Sequence, residues 1–219
     1  MKSRRAISKT VAMVALLIVG LAIGFSGGWL LQEQTIVKLT NAESSQAIYV
    51  DSASKEVMIQ ATVNDVAFVN ATMHGLNWEG GSIADQAAFT TVVTPHQLYD
   101  ALVSLGATPS NNVQLTSPAG TLTTGPKVTV YVSWGSNKYL LTQLFNNYTL
   151  AQGDGTFGFG GNLATNTKVG TGCMCCLFSC AIGIVSSNTN GWESSSMWTL
   201  NSSLIPHGQN VTFIFQLSS

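Results

Sequence analysis

The chain has 219 residues, of which 45% are hydrophobic and only 9% are charged, whereas a typical soluble domain has about 25% charged residues. Five Trp, nine Phe and five Tyr can build a hydrophobic core, so the composition argues against intrinsic disorder. The formal net charge is −1, and the basic residues are poorly placed for binding a nucleic-acid groove. No nucleic-acid partner is therefore expected.

The N-terminus has the features of a membrane anchor. Four of the nine basic residues lie within the first nine positions, and residues 10–31 that follow carry no charge. A helix of that length can cross a hydrocarbon core of about 30 Å, and preceding Lys and Arg residues favour a cytoplasmic N-terminus. The pattern predicts a cytoplasmic tail (1–9), a transmembrane anchor (10–31), a stalk (32–46) and an exterior domain (47–219). The predicted localisation is the cell membrane, with a single span that contacts lipid and an extracellular C-terminal domain.

Two alternatives remain for this segment. It could be a secretory signal that is cleaved, although the hydrophobic regions of such signals usually have only about 7–15 residues. The stretch RRAISKTVAMVALLIVG also resembles the start of many archaeal surface proteins, including the class III signal sequences of archaeal pilins. That resemblance implies an archaeal cell-surface setting, cleavage just after Ala6 and assembly into a filament.

Four N-x-S/T sequons lie beyond the anchor. An exterior location would make such sequons candidates for glycosylation. The predicted glycosylation sites are Asn70, Asn147, Asn201 and Asn210.

The rest of the chain predicts a predominantly β domain of the α+β class with one or two short helices. Apolar and β-branched runs bounded by turn residues are typical of strands. Such runs occur at 47–50, 57–63, within 66–78, and at 88–93, 128–134 and 211–217. Residues 51–54 are predicted to join the first two runs as a hairpin turn. The two alternatives for residues 141–145 are strand and helix.

The clearest local signal is a helix that begins after Thr94. Thr94, Pro95 and Gln97 form a capping-box pattern, and Gly106 supplies a stop. Apolar residues between them recur at helical spacing, which predicts a helix of about three turns with one face in the core. The residues of that face include Leu98, Leu102 and Leu105.

All four cysteines lie within eight residues, at positions 173, 175, 176 and 180. On a helical turn, Cys173, Cys176 and Cys180 would share one face and Cys175 would point away from it. Three converging thiolates suit an iron–sulfur cluster or another soft metal. A four-iron cluster needs a fourth ligand, which could be Cys175 if the segment is not helical, a residue elsewhere in the fold or an exogenous molecule. The alternatives are two local disulfides, as in an oxidising exterior, or reduced thiols.

Other candidate sites are weaker. His74, His96 and His207 are the three histidines, and no pair of carboxylates is spaced for acid–base catalysis. The sequence lacks a G-x-S-x-G nucleophile elbow. The protein is therefore more consistent with a non-catalytic subunit than with an enzyme, and no catalytic residue is assigned.

Several segments resemble the YdjY family, which is described as 4Fe-4S ferredoxin-like. The resemblance runs from about residue 47 to residue 217 and includes KEVMIQATVN, LYDALVSLGATPSNN, VTVYVSW, IPHGQNVTFIF and, most specifically, TGCMCCLFSCAIGIVSSN. Cys173, Cys176 and Cys180 fall on the cysteine pattern of the family. Cys175 is extra, and Ala181 stands where a ferredoxin-like motif favours Pro.

Taken together, these features predict the exterior subunit of a redox or respiratory membrane assembly. Its cysteine cluster would hold an iron–sulfur cluster or another metal for electron transfer or structural support, and other subunits of the assembly would be its partners. The alternative is a structural cell-surface or filament subunit whose cysteines form local disulfides.

Overall fold

The described residues of the computed structural model, 47–148 and 155–218, form ten β-strands and two α-helices. All of them belong to the structural unit Gln34–Ser219. In chain order the elements are β1 (Ile48–Asp51), β2 (Glu56–Val63), β3 (His74–Trp78), β4 (Phe89–Thr91), α1 (Pro95–Ser104), β5 (Lys127–Trp134), β6 (Asn137–Leu140), β7 (Thr156–Phe159), α2 (Leu163–Val169), β8 (Cys173–Cys176), β9 (Val185–Ser187) and β10 (Asn210–Leu217). Three short 3₁₀ helices connect them, at Asp65–Phe68, Ala84–Gln86 and Leu141–Leu144.

The strands form a sheet that closes on itself. Its order is β1-β2-β10-β5-β7-β9-β8-β3-β4, and an additional β2–β4 pairing closes the ring from β2 to β4. β1 and β6 lie outside this ring, where β1 pairs with β2 and β6 pairs with β5. β4 pairs with β3 in parallel and with β2 antiparallel, through Thr62↔Thr90 and Val63↔Phe89. Closure satisfies backbone groups that an open edge would leave unpaired.

The main core is built from the alternating inward residues of these strands. Ile59, Phe213 and Phe215 are fully buried, and Phe89 packs edge-on against Phe213 with ring centroids 4.9 Å apart. β2 shows the expected alternation because successive side chains of a strand point to opposite faces, and β10 follows it except at Ile214, which is also buried.

The helix predicted after Thr94 is confirmed as α1. The Thr94 side chain accepts from the Gln97 N–H, and the Gln97 side chain accepts from the Thr94 N–H, so both halves of the capping box are present. Leu98 and Leu102 are fully buried, whereas Leu105 packs against the core only partly buried.

The first predicted hairpin is also present. β1 and β2 pair antiparallel, and Asp51 Oδ1 accepts from the backbone N–H groups of Ala53 and Ser54 in the turn. These two hydrogen bonds stabilise the carboxylate and lower the pKa of Asp51. The strand-like run predicted within 66–78 corresponds to β3, and the end of a 3₁₀ helix and a connection precede it.

The structure corrects the predicted membrane-spanning fold and the single-pass membrane localisation. Among residues 47–148 and 155–218, every helix is too short or too polar to span a bilayer. The longest of these helices, α1, has 10 residues and covers about 15 Å, half the thickness of a hydrocarbon core. The predicted tail, anchor and stalk, and the cleavage site after Ala6, lie outside the described residues.

Candidate metal site at the cysteine cluster

Cys173, Cys175 and Cys176 lie on the strand β8 and not on the helical turn considered from their spacing, and Cys180 follows the strand in a loop. β8 lies between β3, with which it pairs antiparallel, and β9, with which it pairs in parallel. The preceding helix α2 ends at Gly170 in the left-handed conformation, and Gly172 has a φ of 75°. A Cβ at Gly172 would lie 2.9 Å from the Gly81 Cα, so the strand begins where only glycine fits.

Two irregularities in the β3–β8 pairing decide which way the cysteines point. His74 faces Cys176, Leu76 faces Cys175 and Asn77 faces Cys173, with register shifts on both sides of Leu76. In a regular strand, residues three apart point to opposite faces. The shift between Leu76 and Asn77 is a β-bulge that places one extra residue in β8. Because of this extra residue, Cys173 and Cys176 come to the same side of the strand.

The four cysteines are accordingly divided between two hydrophobic clusters. Cys173, Cys176 and Cys180 form a small cluster with Phe178, against which Met73, Ile182 and Trp192 pack. Cys175 is fully buried in the main core. Cys173 and Cys176 form a disulfide, while Cys175 and Cys180 are free thiols.

His74 joins this small cluster from the facing strand. Its ring nitrogen and the sulfur atoms of Cys173 and Cys176 all lie within 4.8 Å of one another. The His74 Nδ1 is buried and has no hydrogen-bond partner within the described part of the chain. Burial lowers the pKa of His74, which favours the neutral imidazole that binds metals. One imidazole and two thiolates are a donor set that zinc and other soft metals use.

Buried asparagine side chains hold the backbone around the cluster. Asn166 Nδ2 donates to the carbonyl oxygens of Cys173 and Ile182 at 2.7 and 2.8 Å. Asn162 Nδ2 donates to the carbonyl oxygen of Cys180 at 2.9 Å. Both asparagines come from α2 or its N-cap, so this helix fixes the positions of the cysteine-bearing loops.

Gly183 packs tightly against the cysteines, with no room for a side chain. A Cβ at this position would lie 2.8 Å from Cys176 Sγ, 2.6 Å from Ser186 Oγ and 3.4 Å from Cys180 Cβ. Ser186 Oγ is buried and lacks a hydrogen-bond partner among the described residues. Cys176, Cys180 and Ser186 therefore all pack around Gly183, a position where a larger residue would push them apart.

The free thiols are protonated in the absence of a metal. Burial raises the pKa of Cys175 far above its ordinary value, and it raises the pKa of Cys180 to about 11. Backbone N–H groups of Ile182 and Gly183 donate to Cys180 and partly offset that burial. Such N–H groups are also the partners that thiolate ligands commonly have around metals.

The remaining predicted site residues lie apart from this cluster. Asn70, Asn147 and Asn210 are exposed and Asn201 is partly buried, and their glycosylation stays a prediction. The other two histidines lie close to carboxylates: His96 is 4.0 Å from Asp100, and His207 is 3.2 Å from Asp65.

His74 is the candidate ligand that sequence reasoning undervalued. Almost a hundred residues separate it from Cys173, and no motif spacing links the two. The only local hint is its place at the start of an apolar strand. The β3–β8 pairing makes it a neighbour of the cysteines.

Comparison with known proteins places this domain in a family. The model of the YdjY domain matches residues 48–216, so the chain belongs to the YdjY family. The chain is 30% identical over 155 residues to the uncharacterized protein YdjY of Escherichia coli (strain K12), a match that covers 70% of this chain and 68% of that protein. No solved structure matches the chain. The ferredoxin-like character and the archaeal setting stay predictions.

Proposed function

We propose that this YdjY-family domain binds one thiolate-seeking metal ion when Cys173 and Cys176 are reduced. The observation that carries the proposal is the convergence of His74, Cys173 and Cys176, whose ligand atoms lie within 4.8 Å of one another. Among the described residues, the buried Nδ1 of His74 has no hydrogen-bond partner. Buried polar atoms are usually hydrogen-bonded, so this nitrogen is free to bind a metal ion, which supports the proposal.

Cys180 would be the fourth ligand after a local rearrangement, since its sulfur is not among the ligand atoms that lie within 4.8 Å of one another. It belongs to the same buried cluster as Cys176, and both residues pack against Gly183. A Cys₃His set is a common tetrahedral zinc site, while a Cys₂His set with an open fourth position is a catalytic one. The role of each residue is thus to supply a donor atom, and the role of Asn162 and Asn166 is to position the cysteine backbone.

The disulfide defines the metal-free oxidised form. Its reduction consumes two electrons and two protons, which an added phosphine or dithiol reductant supplies, and yields two thiols. Metal binding then displaces the thiol protons, because the thiolate is the ligand. The metal and the disulfide are therefore mutually exclusive states of the same two sulfur atoms.

A single ion fits the donor arrangement better than the iron–sulfur cluster predicted from the sequence. In a 4Fe-4S cluster, each cysteine binds a different iron atom, which keeps the ligand sulfurs apart. Here two sulfurs and an imidazole nitrogen are close enough to share one ion. The predicted electron transfer within a membrane assembly is not part of this proposal.

A metal titration of the reduced protein tests the proposal. The protein would be reduced anaerobically with a phosphine, and Zn²⁺ and Cu⁺ would be titrated against chromophoric chelators. We expect one ion per chain, loss of binding in Cys176→Ser, and affinity at least tenfold lower in His74→Gln. His96→Gln is the matched control, since His96 is exposed and lies in α1.

Two outcomes would contradict the proposal. Absence of any bound metal in the reduced wild-type protein would leave the second candidate function, a structural domain cross-linked by its disulfide, which the Cys173–Cys176 bond favours. Iron and sulfide in a fixed ratio to protein would instead establish a cluster.

A further inference from the structure

Two methionines face each other beside the candidate metal site. Thr72 and Trp198 form an isolated antiparallel bridge, in which each backbone N–H donates to the other residue's carbonyl oxygen at 2.8 and 3.0 Å. One residue beyond the bridge, Met73 and Met197 therefore occupy opposite positions, where side chains of an antiparallel pair are close. Thr72 and Trp198 are buried, so the methionines lie on the other side of this ribbon, and Met197 is 47% exposed.

These methionines line a surface cavity. Its volume is about 380 Å³, and its walls include Met73, Met197, His74 and Asp85. His74 is thus shared between the cavity and the candidate metal site. The cavity thus reaches a candidate ligand of the metal site from solvent, and the Asp85 carboxylate on its wall attracts cations.

Met73 also connects the cavity to the cysteine cluster directly. Its side chain packs against the cluster of Cys173, Cys176 and Cys180. Its carbonyl oxygen accepts from the N–H of Leu177 at 2.9 Å, immediately after Cys176. The next residue, His74, pairs with Cys176 in the sheet.

We propose that Met73, Met197 and His74 form an entry site for a soft monovalent cation of the Cu⁺ class. The inference rests on the proposed function and names the kind of ion that the site receives. Thioethers are neutral, soft donors that favour Cu⁺ over Zn²⁺. The ion moves by ligand exchange from the thioethers to the thiolates without changing its oxidation state, and the displaced thiol protons pass to solvent.

Methionine-to-leucine variants test this role because leucine keeps the size and apolar character but lacks the sulfur. Met197→Leu is the main variant, since the exposed Met197 contributes little to the core, and Met73→Leu is the second. Met58→Leu on β2 is the control, because Met58 is partly buried but does not line the cavity. Uptake of Cu⁺ from a coloured chelator by the reduced full-length chain would be followed in time, with Zn²⁺ uptake in parallel.

We expect Met197→Leu and Met73→Leu to slow Cu⁺ uptake about tenfold, with one ion bound at the end and Zn²⁺ uptake unchanged. Rates equal to those of Met58→Leu would overturn the entry site while the metal site stands. Equal slowing of Cu⁺ and Zn²⁺ uptake would also overturn the entry site, since loss of a thioether ligand should slow the uptake of Cu⁺ only. If the wild-type protein binds neither ion, the proposed function itself fails, and the inference fails with it.

Discussion

At the residue scale, Cys175 differs from the other three cysteines: it packs in the main core, whereas they are the proposed metal ligands. Cys175 is fully buried in the main core, whereas the other three cysteines share a separate cluster. A buried free cysteine behaves as a small apolar side chain. We therefore expect substitutions at Cys175 to change stability and substitutions at Cys176 to change metal content.

The first prediction concerns Cys175 itself. Cys175→Ser buries a hydroxyl in an apolar core and should lower the free energy of unfolding by about 1–3 kcal/mol. The reduced variant should still bind one metal ion. Chemical denaturation and metal analysis check the two parts, with Cys176→Ser as the comparison that loses the metal. Loss of metal in both variants would contradict the division.

At the scale of elements, α1 stabilises the domain through one face. Leu102 is fully buried, and its neighbour Val103 is 41% exposed. Because a large-to-small change in a core leaves a cavity, Leu102→Ala should lower the free energy of unfolding by about 2–5 kcal/mol. Val103→Ala in the same helix should change it by about 0.5 kcal/mol or less. Urea denaturation measures both, and equal effects would show that the helix packs differently.

The second helix, α2, acts on the site and not only on the core. Asn166 lies inside it, 3% exposed, and donates to the carbonyl oxygens of Cys173 and Ile182. In Asn166→Asp, a carboxylate would face these carbonyl oxygens, and it has no N–H group to donate to them. We expect a loss of at least about 2 kcal/mol in the free energy of unfolding, since both hydrogen bonds disappear and a charge is left buried.

A matched variant tests whether this effect is local. Thr167→Asp adds the same charge one residue later on an exposed position of α2, and it should be close to neutral. Metal affinity of the reduced protein should fall in Asn166→Asp and stay unchanged in Thr167→Asp. Similar affinities in the two variants would show that Asn166 supports the fold without positioning the cysteines.

At the scale of the whole molecule, the redox state should control how metal affects stability. A ligand that binds only the native state adds about 2.7 kcal/mol at a concentration one hundredfold above its Kd. For a chain of this size, that corresponds to an increase in Tm of roughly 5–10 °C. The reduced protein should show this increase, whereas the oxidised protein should not, because its disulfide holds the sulfurs of Cys173 and Cys176.

Thermal unfolding with and without metal, before and after reduction, measures this difference. His74→Gln should lower the increase in the reduced state, since it removes one donor. An equal increase in Tm in the oxidised protein would mean that the metal binds elsewhere in the chain.

The closed sheet explains why the candidate ligands lie close together. β3 and β8 are distant in the sequence, yet their pairing sets His74 opposite Cys176. The Thr72–Trp198 bridge brings a third distant segment to the same place. Each of these pairings is long-range, and the closed sheet forces them to occur together.

The sequence alone determined those features that depend on neighbouring residues. The capping box and apolar spacing fixed α1, the turn after Asp51 fixed the first hairpin, and the motif segments indicated the YdjY family. These signals are local, because a cap or a turn is formed by residues within a few positions of one another.

Only the tertiary structure decided the cysteine geometry and its partner. Helical spacing grouped Cys173, Cys176 and Cys180, but in the structure a bulged strand brings Cys173 and Cys176 to one side. The face that a strand residue presents depends on register, and a single inserted residue reverses it. His74 became a candidate ligand for the same reason: its distance to the sulfurs is set by strand pairing, which no spacing along the chain encodes.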